Sequence, residues 1–191
     1  MPTILGIISQ KGGVGKSTLT QAIAVEAAYN GLAVHIADLD AQQFTSTEWA
    51  SIRARGALLP TVTACTYTTL KAALDGMPRC DLLILDGPAR TSAGTLEIAR
   101  TVDLVIQPTG AARADLSPAI RAFHELAARG IPTHKLIMVL SRILGAAEAK
   151  EARRYITDAG YAVLDGCIME RVSYRTAQDL GRAITETDYD T

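Results

Sequence analysis

An apolar strand, Ile4 to Ser9, runs straight into Lys11-Gly-Gly-Val-Gly-Lys16-Ser17-Thr18, and a helix-forming stretch rich in Ala, Leu and Thr follows. Nothing else in the sequence constrains the fold as strongly, because this run fixes a strand, a tight loop and a helix in immediate succession. Glycines let the backbone curl until several N–H groups point at one anion. The helix N-terminus adds its partial positive charge. A Gly-rich loop between strand and helix is the setting of a phosphate-binding loop. In that reading Lys16 reaches the β- and γ-phosphates of a nucleotide, and the Ser17 hydroxyl holds Mg²⁺. The strict GxxxxGK[ST] pattern is broken, since Gln10 stands where its first Gly belongs. The Gly12-Gly13 pair and a second lysine, Lys11, are the additional features of this variant.

Apolar runs at 4–8, 33–37, 82–85, 102–106 and 136–140 read as strands. They are rich in Val, Ile and Leu without clean alternation, as expected when both faces of a sheet are covered. Helix-length segments lie between them near 16–30, 44–55, 68–76, 92–101, 113–129 and 146–158. Alternation of this kind implies an α/β fold: a mostly parallel, twisted sheet flanked by helices on both faces, with right-handed crossovers. The 191 residues suit one P-loop domain over 1–191, with a frayed tail from about 183. No apolar run approaches 18 residues, so no transmembrane helix is expected, and no signal-peptide pattern is read. Cys65, Cys80 and Cys167 are too scattered for a metal site and fit a reducing cytoplasm. Each is expected to be a small buried hydrophobe. His35, His124 and His134 are isolated and read as structural.

In open α/β sheets the chemistry sits at the carboxyl ends of the strands. One strand ends in Asp38-Leu39-Asp40-Ala41-Gln42-Gln43, which puts both acids on one side of the extended chain. The bland alternative is that they cap the next helix. A later strand ends in Leu82-Leu-Ile-Leu-Asp86-Gly87-Pro88, the Walker B shape, whose carboxylate accepts from a Mg²⁺-bound water or from Ser17. Two further strand ends are Val105-Ile106-Gln107-Pro108-Thr109 and Leu136 to Leu140 followed by Ser141-Arg142.

Together these motifs resemble the ParA/MinD family of deviant Walker A P-loop ATPases, and most closely its small ParF-type partition members. The resemblance covers nearly the whole chain. It rests on the KGGxGK[ST] loop, a DxD segment with Ala41 in place of the family's Pro, and the hhhhDxP strand end. It implies ATP as nucleotide and Mg²⁺ as cofactor, with Lys11, Gly12, Gly13, Val14, Gly15, Lys16, Ser17 and Thr18 lining the phosphates. It further implies that Lys11 reaches across an ATP-sandwich homodimer, and that Asp40 positions the hydrolytic water. Asp38 then lies one water away from Mg²⁺, so that Ser17, Asp38 and Asp86 form the metal set. Lys11, Lys16 and Asp40 are the implied catalytic residues. Pro108 and Asp86 lie by the nucleotide, and Arg142 near the adenine. Ser141 departs from the Asn common in the family, while no guanine-reading NKxD run is present.

Such dimers bind non-specific DNA when loaded with ATP. The net charge of −1 argues against passive nucleic-acid coating, yet bases outnumber acids between Arg129 and Arg182. Lys150, Arg153, Arg154, Arg171, Arg175 and Arg182 are the candidate DNA contacts, with Lys150/Arg154 and Arg171/Arg175 spaced i and i+4. The competing reading is a solvated charged face. An adaptor of the ParB or ParG kind, bound to a plasmid, a chromosome region or a protein body, is the implied partner that stimulates hydrolysis. The implied location is the cytoplasm, on the nucleoid. The acidic tail disfavours membrane binding. A metal-cluster-assembly or metabolic ATPase with the same loop is the alternative, against which the lack of any CxxC counts. A module that has lost hydrolysis is the third, and Lys16, Ser17, Asp40 and Asp86 argue against it.

Overall fold

The computed structural model describes residues 1–40, 43–89 and 92–187. Along the chain the elements are β1 (Thr3–Ser9), α1 (Lys16–Tyr29), β2 (Val34–Asp38), α2 (Thr45–Arg55), β3 (Thr63–Thr66), α3 (Leu70–Gly76), β4 (Leu82–Ala89), α4 (Ser92–Thr101), β5 (Leu104–Thr109), α5 (Arg113–Ala128), β6 (Leu136–Ile143), α6 (Ala146–Asp158), β7 (Ala162–Met169) and α7 (Val172–Asp179). The fold class is the α/β one expected from the alternation, with β2–β3, β2–β4, β1–β5, β5–β6 and β6–β7 all parallel.

The chain forms two compact units. One comprises Met1–Ile4, Ser17–Asp86 and Arg171–Thr191, the other Leu5–Lys16 and Gly87–Glu170. In the first, β2 lies between β3 and β4. Its interior is made by Ile36, Leu83, Ile84 and Leu85 from the strands, and by Ala24, Val25 and Ala73 from the helices. In the second, the strands follow the order β1, β5, β6, β7. Ile7, Val105, Leu136, Met138 and Leu140 are fully buried there, as is Phe123 from α5. Burial on both faces is why these strands read as continuous apolar runs.

Two strands and a helix escape that reading. Strand β3 pairs only with β2 among the described strands, and β7 only with β6. Both are made only of exposed and half-buried residues. Edge strands need no continuous apolar run, so their sequences carry none. Helix α7 has a single buried residue, Ala177. The three cysteines also depart from expectation. Cys65 is exposed and Cys80 and Cys167 are partly exposed, all as free thiols. His35 and His124 do take structural roles. His35 is buried, with Nδ1 2.8 Å from Thr63 Oγ1 and Nε2 3.2 Å from Tyr67 Oη. His124 Nδ1 lies 2.7 Å from the Tyr161 hydroxyl.

The tail expected to fray from about 183 is instead fastened over its described part. Ala183 is fully buried, and Ile184–Glu186 form a 3-10 turn. Residues 188–191 lie outside the described residues. Glu186 meets Arg53, which is 1% exposed. The Arg53 guanidinium donates to both Glu186 carboxylate oxygens at 2.7 and 3.0 Å, to Gly181 O at 3.1 Å and to Pro60 O at 3.0 Å. A buried guanidinium needs this full set of acceptors, because any donor left bare would be costly. Replacing Arg53 by Met strands the Glu186 carboxylate. Urea unfolding should show a loss of about 3–5 kcal/mol, with Glu186→Gln in the same chain recovering part of it.

Burial lowers the pKa of His35 below its ordinary 6.5, so the folded chain resists the proton that the unfolded chain accepts. The stability tied to this neutral imidazole is complete above the unfolded value. It falls as pH drops from about 6.5 through the lowered folded value. Urea midpoints between pH 7.5 and 5 should show this slope in the native chain, and His35→Asn should flatten it.

Candidate functional site

The loop after β1 adopts the curled form its glycines permit. Gly13 and Gly15 have φ of 73° and 92°, values that side-chain-bearing residues rarely take. A Cβ at Gly13 would meet nothing within 4 Å, so backbone conformation and not space demands glycine there. Lys11 N donates to Ser9 Oγ at 3.1 Å, which closes the loop onto the end of β1. Helix α1 begins at Lys16 with no acid in its first turn, so its N-terminal amides keep their affinity for an anion.

Around this loop the second unit gathers a set of charges. The Lys11 ammonium pairs with Asp115, from the first turn of α5. The Arg142 guanidinium donates from Nε to Glu170 at 2.7 Å and from Nη1 to the carbonyl of Gly13 at 3.2 Å. A cavity of about 310 Å³ opens between Lys11, Gly13, Asp115, Arg142, Glu148 and Glu170. Pro108 is buried in β5, opposite Val139 of β6, and lines a smaller space with Lys11 and Asp115. Glu170 carried no signal of a site role in the sequence; Asp115 ends the Gly110–Asp115 stretch after β5, which the family resemblance offers as part of a dimer seam without giving the acid a role of its own.

The strand-end acids meet in the first unit. Asp38 and Asp86 are direct register partners of β2 and β4, and both are buried, at 1% and 2% exposure. Ser46 joins them: its hydroxyl donates to Asp86 Oδ2 at 2.6 Å, and its backbone N–H to Asp38 Oδ2 at 3.0 Å. Thr47 N also donates to Asp38 Oδ2, and Asp40 N to Asp38 Oδ1, each at 3.1 Å. Asp38 therefore caps α2. The residue before that helix is Phe44, at φ 52° and with no side-chain acceptor, so the carboxylate does the work an ordinary N-cap side chain would. Capping, the bland reading of these acids, thus describes Asp38 well; its oxygens serve backbone donors. Burial pushes the Asp38 carboxyl above the ordinary aspartate range, and the charge of Asp40 adds to this, against the pull of the three N–H groups. Asp40 is half-buried at the turn, where its Oδ1 accepts from Gln43 N at 3.3 Å. Ser46, which links both acids, was missed in the sequence. Its signal is the hydroxyl run Thr45-Ser46-Thr47 that opens α2.

Ser17 and Thr18, consecutive with Lys16 in α1, belong to this first unit. Gln178 of α7 donates to Thr18 Oγ1 at 3.2 Å and to Gln21 Oε1 at 2.6 Å, which anchors α7 on the first turns of α1. A hydroxyl and two carboxylates are hard oxygen donors, which suits Mg²⁺. Among the described residues no three His, Cys, Asp or Glu side chains converge on one point. To hold the ion, such a set would need water and a ligand's phosphate oxygens to complete the shell.

The six basic candidates divide between the units. Lys150 and Arg154 are exposed on α6, where Arg154 Nε lies 3.6 Å from Asp158. Arg153 is half-buried and donates to the carbonyls of Leu164 and Asp165. Arg171, Arg175 and Arg182 are exposed in the first unit.

Residues 5–184 match the sequence family described as the CobQ/CobB/MinD/ParA nucleotide binding domain. A protein of Gloeobacter kilaueensis named maintenance of carboxysome distribution protein A is 27% identical over 188 residues, covering 97% of this chain and 85% of that protein. Among solved structures, the chain resembles a Borrelia burgdorferi B31 protein described as a plasmid partition protein, bound to AMPPNP. There the TM-score is 0.76 at 18% identity, covering 99% of this chain and 94% of the other. It also resembles the septum site-determining protein MinD of Pyrococcus horikoshii OT3 complexed with Mg-ADP. That match has a TM-score of 0.72 at 18% identity and covers 98% and 90% of the two chains. These structural likenesses establish the fold.

The Ser46 hydroxyl is the donor that a buried Asp86 oxygen relies on. Ser46→Ala should lower stability in urea by on the order of 2 kcal/mol, whereas Thr45→Ala, next to it on the exposed side of the same turn, should change it by under about 0.5 kcal/mol.

Proposed function

The chain belongs to the CobQ/CobB/MinD/ParA nucleotide-binding domain family, and from that premise we propose that it is an ATP-dependent partition or positioning ATPase, one P-loop domain that works as a nucleotide-bridged homodimer. The observation that carries the reading is the loop itself: left-handed Gly13 and Gly15, a helix that starts at Lys16 without a competing acid, and a second lysine at Lys11. The relatives named for plasmid partition and carboxysome distribution support this class of task.

In this reading the N–H groups of Gly12 to Thr18 hold the phosphates of ATP. Lys16 neutralises the β- and γ-phosphate charge, and Lys11 is lent to the nucleotide of the second copy. Asp40, at the turn after β2, orients a water for in-line attack on the γ-phosphorus. The new bond joins that water's oxygen to phosphorus, the bond to the bridging oxygen breaks with its electron pair going to ADP, and the water's protons pass to the departing phosphate and to solvent. Mg²⁺, when bound, supplies charge neutralisation at the phosphates, with Ser17 and Asp86 as its protein-side oxygens and Asp38 holding the turn beside them. Lys150, Arg153, Arg154, Arg171, Arg175 and Arg182 are the proposed contacts to DNA phosphates in the nucleoid, doubled in a dimer. An adaptor of the ParB or ParG kind on the cargo would stimulate turnover. Among the described residues no helix is long and apolar enough to cross a membrane.

Retention of the chain on non-specific DNA should require ATP, fall steeply with salt, and disappear in Lys11→Ala. Equal retention with ATP, without it and in the variant would reject nucleotide-gated binding. Lys16→Ala should lower ATP turnover on the order of 100-fold.

A further inference from the structure

Arg142 has an unusual backbone. It lies at φ 60°, in the left-handed region, at the end of β6. The register with β7 shifts there: Ser141 faces Ile168 and Ile143 faces Met169, so Arg142 is an extra residue without a partner position in the ladder. This is a β-bulge, a feature that re-aims a side chain and is enriched beside active sites. A left-handed conformation in a residue other than Gly is disfavoured, and it persists where surrounding contacts over-determine it.

The contacts are those of the loop. Arg142 Nη1 donates to the carbonyl of Gly13 at 3.2 Å, while Nε donates to Glu170 Oε2 at 2.7 Å. Glu170 directly follows β7, and its own N–H donates to Ile143 O at 2.9 Å, so the acid is fixed to the same bulge that carries the arginine. A trans peptide is planar, and its C=O and N–H point in opposite directions. Whatever holds the Gly13 carbonyl outward therefore turns the Val14 N–H inward, to the concave side of the loop. The guanidinium has one edge on a carboxylate and one on a carbonyl, which is the geometry of a strut and not of a group free to read a base.

We infer that Arg142 and Glu170 are a positioning pair that braces the Gly13–Val14 peptide and so aims the phosphate-binding amides. The inference rests on the nucleotide-binding reading above. The resemblance puts Arg142 only near the adenine; the inference gives it a task at the phosphate loop and makes the pair indifferent to the base.

The test uses the full chain with fluorescent ADP and GDP analogues in Arg142→Gly, Arg142→Ala, Glu170→Gln and the Arg142→Ala/Glu170→Gln double variant. Arg142→Gly keeps the left-handed backbone without strain, so its loss of binding cannot come from a collapsed bulge. Weakening of roughly tenfold or more is expected for ADP and GDP alike in both Arg142 variants. Glu170→Gln should weaken both in the same direction, and the double variant should be no worse than Arg142→Ala. The melting temperature of Arg142→Gly without nucleotide should match the native chain, while the rise caused by ADP should shrink. The brace is overturned by a change confined to the ADP/GDP ratio, by unaltered affinity in Arg142→Gly, by additive effects of the two sites, or by a fall in the nucleotide-free melting temperature that accounts for the loss. A native chain that binds neither nucleotide removes the nucleotide-binding reading itself, and the brace with it.

Discussion

A loop can bind a polyphosphate with its backbone only if it solves the problem of its carbonyls. Every amide turned toward the anion brings a carbonyl oxygen with it, and oxygens facing phosphate would repel what the N–H groups attract. The loop after β1 separates the two by left-handed turns at Gly13 and Gly15. It then begins a helix at Lys16, where the carbonyls point away along the axis. One carbonyl of the loop, that of Gly13, receives a guanidinium. The sequence around the loop follows from this requirement. Strands must deliver β1, β5, β6 and β7 side by side, so that residues at their carboxyl ends reach the same place.

The acidic pair of the first unit solves the converse problem. Asp38 and Asp86 are neighbours in register and both are buried. Two bare carboxylates so buried would leave their oxygens without donors, at a high cost. The start of α2 supplies the answer with unsatisfied helix donors. The N–H groups of Ser46 and Thr47 and the Ser46 hydroxyl all turn to these oxygens. The same contacts that stabilise the acids fix the helix start, and with it the turn that carries Asp40. Structural capping therefore leaves room for the proposed site chemistry, and the two readings of this acidic run are less opposed than its sequence suggests.

What the sequence made legible follows a physical division. Five strands were readable because burial on both faces demands uninterrupted Val, Ile and Leu. Edge strands β3 and β7 face no such demand and were silent. The phosphate loop was legible because only glycine tolerates its dihedrals. The bulge at Arg142 was not, because an arginine there violates the usual preference and is held by contacts distant in sequence. Distance in sequence also hid the fastened tail. Arg53 sits in a segment that reads as an ordinary helix, and nothing local announces that its charge is buried against Glu186. The cysteines failed for a different reason: an average preference for burial says little about a particular residue near a sheet edge, such as Cys65.

The charge on Lys11 connects these parts to the proposed dimer. In the single chain its ammonium rests on Asp115, whose carboxylate packs directly over Gly110 where a Cβ would stand. An ammonium destined for another copy's nucleotide needs a resting partner of this kind. Left bare beside the phosphate loop, it would compete with Lys16 for the chain's own anion. The resting pair must also be weak. Lys11 is about half exposed, and water screens such a pair to within about 1 kcal/mol. In the proposed dimer a triphosphate would set several negative charges against the single one of Asp115, so the exchange of partners would favour the nucleotide. Weak retention in one chain and strong attraction across two is the electrostatic condition for a dimer that forms only when nucleotide is bound.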